Sequence, residues 1–191
     1  FREAISKVKP AVVSISAEKT AKPAQMPKEY DMEEVPEFFK RFFGEEFFKN
    51  PRFMNPKRDW QGSGVIISAE GDVLTNNHVV ADADSITVKL DDGRTIEADI
   101  SSVKTDPASD LAIFKLKENG EYPYASLGNS DELKVGDWVL AIGSPFGLDQ
   151  TVTEGIVSAK GRTSSDVQIG GEDFFIKDYI QTSAAINPGN S

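Results

Sequence analysis

Three residues of this 191-residue chain have the types that together move a proton and attack a carbonyl carbon: His78, Asp110 and Ser191. His78 sits in "VLTNNHVVADAD", just past a strand and inside a polar turn; Asp110 sits in "DPASDLAIFKL", directly before a strongly apolar strand; Ser191 closes "INPGNS". An aspartate can hold the Nδ1–H of an imidazole, fixing its tautomer and stabilising the imidazolium, and that imidazole can act as base to a serine hydroxyl. Gly189, two residues before the serine, would let a backbone N–H approach an oxyanion with no side chain in the way. Each residue also has an ordinary alternative. A lone histidine is commonly a hydrogen-bonded structural residue, an Asp before a strand is commonly a cap, and Asn187-Pro188-Gly189-Asn190 is a turn that recruits serine anyway.

Composition removes other chemistries. Zero cysteines exclude a thiolate nucleophile, a thiolate metal site and disulfides, and one histidine excludes a multi-histidine metal site. The formal net charge is −10; residues 1–60 carry 12 Lys+Arg against 10 Asp+Glu and the remainder 9 against 21. So acidic a body repels phosphate backbones, and nucleic acid is not an expected partner. The longest apolar runs are pieces such as Gly64-Val65-Ile66-Ile67, far below the roughly 18 residues of a membrane span. The chain begins at Phe1 rather than a methionine, as expected of one trimmed or cut from something longer, so its start says nothing of targeting.

The positioning elements read as strands. "AVVSISA" at 11–17 alternates, with Val13 and Ile15 on one face and Val12, Ser14 and Ser16 on the other. From residue 61 onward, "GSGVIIS", "DVLTNN", "SITVKL", "TIEADISSV", "LAIFKL", "DWVLAIG" and "VTEGIVSA" recur every 8–15 residues, with Asp91-Asp92-Gly93 as a hairpin turn. That spacing predicts an all-β barrel or sandwich. Residues 18–60 differ: a Lys/Pro/Ala-rich linker leads to "EVPEFFKRFFGEEFFKNPRF", which holds seven of the twelve phenylalanines. Phe38, Phe39, Phe42 and Phe43 follow helical spacing, either as an amphipathic helix on the chain's own barrel or as an aromatic loop docking on another subunit or an apolar ligand.

The candidates run His, Asp, Ser along a β-rich chain, the order of chymotrypsin-type triads, whereas α/β-hydrolases place serine first; neither "GSPFG" nor "QGSG" forms G-x-S-x-G. With "GSGVII", "LTNNHVV", "DPASDLAIFKL", "VGDWVLAIGSPFGL", "TVTEGIVSAKGR" and "IQTSAAINPGNS" in this order, nearly the whole chain resembles the protease domain of the HtrA family of envelope heat-shock serine proteases. "PEFFKRFFGEEF" is similar to the insertion of its DegP/DegQ-like branch. The resemblance implies a chymotrypsin-like double β-barrel, the second barrel incomplete. Residues 18–60 would form the N-terminal segment and aromatic loop, 61–130 the rest of the first barrel and 131–191 part of the second, with PDZ domains downstream. It implies His78 as base, Asp110 as its orienter, Ser191 as nucleophile, and the N–H groups of Gly189 and Ser191 as oxyanion hole. Ile186 would line a pocket for small or medium aliphatic residues such as Val or Ala, and Arg162 would sense a regulatory state. No cofactor or metal is implied. The implied activity is ATP-independent hydrolysis of unfolded or damaged envelope proteins in the periplasm. Homo-oligomers built from trimers, using Phe38, Phe39, Phe42 and Phe43, and peripheral membrane association are further implications.

The chain departs from that pattern in three places. Ser183 stands where relatives commonly carry Asp, residues 163–178 look longer and more Gly-rich than usual, and the sequence stops at the proposed nucleophile. Asn190, at the place of the Asp that pairs with a new N-terminus in chymotrypsin-like zymogens, would leave activation to loop rearrangement. A second barrel without closing strands exposes edges and loosens the nucleophile, so 191 residues alone are expected to be inactive or nearly so. The alternative function is a non-catalytic, chaperone-like binder of unfolded polypeptides working through the Phe38–Phe53 segment.

Overall fold

The computed structural model describes residues 1–19, 58–144, 150–162 and 178–186. The aromatic segment with Phe38, Phe39, Phe42 and Phe43 lies outside these, as do Gly189 and Ser191. A short helix α1 (Arg2–Val8) and a single 3-10 turn (Lys9–Ala11) lead into β1 (Val12–Lys19). Then follow β2 (Arg58–Ile66), β3 (Asp72–Asn76), a one-turn helix α2 (Asn77–Val80), β4 (Ser85–Lys89), β5 (Thr95–Asp106) and β6 (Leu111–Leu116). A 3-10 turn at Ser130–Glu132 precedes β7 (Trp138–Gly143), β8 (Thr151–Arg162) and β9 (Tyr179–Thr182).

Strands β1 to β6 close into one barrel in the order β1-β2-β3-β6-β5-β4, and every pairing in it is antiparallel. Alternation dictates what fills it. Ile86 and Val88 of β4, Ile96 and Ala98 of β5, Ala112, Phe114 and Leu116 of β6, and Val13, Ile15 and Ala17 of β1 are buried in one cluster. Val12 and Ser14, on the other face of β1, are buried as well, so that strand is covered on both sides. The Asp91-Asp92-Gly93 turn forms as expected: Leu90 N–H donates to Arg94 O at 2.8 Å and Gly93 N–H to Leu90 O at 3.0 Å.

Among the described residues the second unit is a three-stranded sheet, β7-β8-β9, antiparallel throughout. The architecture is the all-β one expected, a closed first barrel and a partial second. Ser144 and Gln150 stitch the parts together through three hydrogen bonds. Ser144 N–H, just past β7, donates to Ser63 Oγ on β2 at 2.8 Å. Gln150 Nε2 donates to Lys9 O at 3.0 Å and Val12 O at 2.8 Å, while its buried Oε1 has no partner among the described residues. Phe1 meets Trp138 of β7 edge-on at 5.5 Å between ring centres.

Candidate active site

Asp110 ends a tight turn that its neighbours build. Asp106 Oδ2 accepts from Ser109 Oγ at 2.6 Å and Oδ1 from Ala108 N–H at 3.1 Å, and Asp110 N–H donates to Pro107 O at 3.3 Å. The bonds to its carboxyl, the Ser109 hydroxyl first, hold Asp106 below the usual carboxylate range. The turn leaves Asp110 at φ 53°, in the left-handed region that, glycine apart, asparagine and aspartate visit more readily than other residues.

His78 reaches the same place from β3. That strand pairs with β6 so that Asn76 faces Leu111, which brings the ends carrying His78 and Asp110 together although they are 32 positions apart. The chain then turns into α2, whose Val79 and Val80 are buried. Gly62 of β2 makes room for it: a Cβ there would lie 2.6 Å from Val79 Cγ2. Thr75 of β3 is fixed by donating to Ser63 O at 2.8 Å, the same Ser63 whose hydroxyl takes the Ser144 N–H.

Asp110 grips His78 twice. Oδ1 accepts the His78 backbone N–H at 3.0 Å, and Oδ2 lies 2.6 Å from Nδ1. An ionised carboxylate only accepts, so Nδ1 carries the proton and Nε2 is the basic nitrogen. The Asp110 side chain is 17% exposed and that of His78 34%, which shields the carboxylate and presents the ring. The second sheet comes close: the Tyr179 hydroxyl is pushed above its usual pKa by burial first and by the negative charge of Asp110 second. An imidazole so oriented is a general base or acid aimed outward from a fixed carboxylate.

The expected pair, His78 and Asp110, is thus brought together. Ile186 is 44% exposed, at the end of a segment clamped to β8: Thr153 Oγ1 donates to Ala185 O at 2.7 Å, and Ile156 N–H to Ser183 Oγ at 3.0 Å. Ser183 therefore supplies the acceptor that an Asp there could also offer. Arg162 is the last, exposed residue of β8, paired with Tyr179. Sequence patterns did not mark Ser63, Tyr179 or Asn76. Asn76 Nδ2 donates to Asp110 O at 3.0 Å, and its sequence signals are a capping residue type and a place two residues before His78.

A barrel whose strand ends carry a carboxylate-held histidine is the arrangement of trypsin-like peptidases, and residues 62–191 match the trypsin-like peptidase domain family. The chain belongs to that family, and it is similar to serine endoproteases of the HtrA/DegP type. It is 46% identical, along its whole length, to a probable periplasmic serine endoprotease DegP-like of Pseudomonas putida (strain GB-1), covering 39% of that protein. A protein of the same description from Ectopseudomonas mendocina is 48% identical, again over the whole chain and 40% of the relative. The chain thus spans about two-fifths of the length of these curated relatives. A solved structure of the HtrA-type protease AlgW with decapeptide superposes with a TM-score of 0.67 at 38% identity, over 100% of this chain and 53% of that one. Both of these curated relatives are named as periplasmic. No helix among the described residues is long and apolar enough to cross a membrane.

Proposed function

We propose that the protein cleaves unfolded or damaged envelope polypeptides without ATP, through a His78–Asp110–Ser191 triad. The observation that carries this is the double hold of Asp110 on His78, which leaves Nε2 as the proton acceptor. His78 Nε2 takes the proton from Ser191 Oγ as that oxygen bonds to the scissile carbonyl carbon. The N–H groups of Gly189 and Ser191 hold the oxyanion. The imidazolium then protonates the leaving amine, the C–N bond breaks, and water, deprotonated by His78, hydrolyses the acyl-enzyme.

Ile186 favours small aliphatic side chains before the cut, and Arg162 senses the state of the loop that follows β8. Phe38, Phe39, Phe42 and Phe43 contact substrate or neighbouring subunits in a homo-oligomer built from trimers. In the intact protein PDZ domains follow this domain, and the assembly associates peripherally with the membrane. Peptide substrates find support in the neighbour solved with a decapeptide. Binding without cleavage is not favoured, because the relatives are named endoproteases.

The test is turnover of a permanently unfolded protein by the intact enzyme with no nucleotide present. Ser191→Ala and His78→Ala are each expected to lower kcat by about 10⁶, with ATP changing nothing. Undiminished cleavage by Ser191→Ala would sink the assignment.

A further inference from the structure

Asn76 occupies the N-cap position of α2, where an asparagine ordinarily turns its side chain onto the helix's first N–H groups. Here it makes no such bond. The acceptor at that helix end is supplied from across the sheet by Asp110, whose Oδ1 takes the His78 N–H. The Asn76 amide is turned instead to the Asp110 backbone, with Nδ2 donating to the carbonyl oxygen at 3.0 Å. The Asn77 N–H donates to the same oxygen, also at 3.0 Å. Two donors thus converge on one carbonyl, and it belongs to a residue held at φ 53°.

We propose that Asn76 is a positioning residue for the proteolytic reaction: by anchoring the Asp110 carbonyl it holds the left-handed backbone that aims the carboxylate at His78. The peptide plane of Asp110 is fixed through its oxygen, and the rotation of its Cα, hence the direction of its side chain, follows from that plane. Without the Nδ2 bond, that carbonyl oxygen keeps the Asn77 N–H among the described donors, and a tilt of its peptide plane turns the Asp110 Cα and swings Oδ2 away from Nδ1. Asn76 touches neither the imidazole nor the substrate in this role; it acts through Asp110. The proposal rests on the triad assignment above.

Asn76→Ala and Asn76→Asp in the intact protein, assayed on a peptide substrate, provide the test. Asn76→Asp keeps the volume, removes the donor and sets a carboxylate against a carbonyl oxygen. Both variants are expected to lose about tenfold in kcat, the rate equivalent of one hydrogen bond, with KM within about twofold of the parent. The same substitutions on an Asp110→Asn background are expected to cost nothing further, because the group they misplace there already holds the ring in the unproductive tautomer. A tenfold loss repeated on that background, a loss carried by KM, or a lowered melting temperature with unchanged kcat would overturn the role of Asn76. Asp110→Asn with full activity would instead overturn the triad assignment, whatever Asn76 does.

Discussion

Asp110→Asn is expected to lower kcat by about 10⁴ while the protein stays folded. The direction follows from the two bonds the carboxylate accepts. The His78 backbone N–H can only donate, so the single oxygen of an asparagine must stay on it to keep the end of α2 satisfied. The NH₂ group then faces Nδ1 at the position where Oδ2 now lies 2.6 Å away. Nδ1 is forced to accept, the ring proton moves to Nε2, and the nitrogen needed as base becomes a donor. Asparagine tolerates the φ of 53° and retains the cap, so the melting temperature should stay within about 4 °C, the equivalent of roughly 1 kcal/mol at this size. Asp110→Ala differs: it forfeits the cap as well, costing about 1 kcal/mol, and leaves a residue poorly suited to that φ. Steady-state kinetics with a thermal melt on both variants separates orientation of the ring from support of the fold. An Asp110→Asn enzyme within tenfold of the parent would mean that the His78 tautomer does not limit the reaction.

Gly155→Ala should damage both stability and turnover. A Cβ at Gly155 of β8 would stand 2.1 Å from Ala184 N, 2.6 Å from Ala184 Cα and 2.8 Å from Ser183 C. All three are backbone atoms, so no side-chain rotation relieves the overlap and the 183–186 segment must lift off the strand. Lifting it strains the pair in which Ser183 N–H donates to Ile156 O at 3.1 Å and Ile156 N–H to Ser183 Oγ at 3.0 Å, and the Thr153–Ala185 bond beyond. The expected cost is about 3 kcal/mol, the upper end for forced overpacking. That segment runs on in sequence to Ile186 and to Ser191, the proposed nucleophile, and a displacement near 1 Å costs about 10² in rate. Gly128→Ala, with nothing within 4 Å of the new Cβ, is the matched control and should change neither quantity. Denaturant midpoints and kcat/KM for the two variants check this, and parental values for Gly155→Ala would contradict it.

How much of this could be read from the sequence depends on whether a feature is periodic or relational. "LAIFKL" announces β6 because Ala112, Phe114 and Leu116 alternate with outward residues, and the fold buries those three. The turn at Asp91-Asp92-Gly93 announces itself by residue type. Helix α1 does not, since its seven residues, none of them buried, are too few for a period to stand out. The stretch around His78 reads as a polar turn but folds as one turn of helix with Val79 and Val80 inward, because Gly62 leaves room for it on β2. His78 and Asp110 were legible as chain order and residue type. Their contact depends on the register of β3 against β6, which no local pattern encodes. Asn76 shows the limit most clearly. By type and position it is a helix cap, and only the tertiary arrival of Asp110 at that helix end diverts its amide.

The central claim, that His78 held by Asp110 activates Ser191, is tested most directly by stoichiometric labelling of the intact protein with a fluorophosphonate, read by mass spectrometry of the digested product. One label per chain is expected, on the peptide containing Ser191, with labelling slowed by orders of magnitude in His78→Ala and in Asp110→Asn. Label on another serine, or equal labelling rates in the parent and His78→Ala proteins, would contradict it.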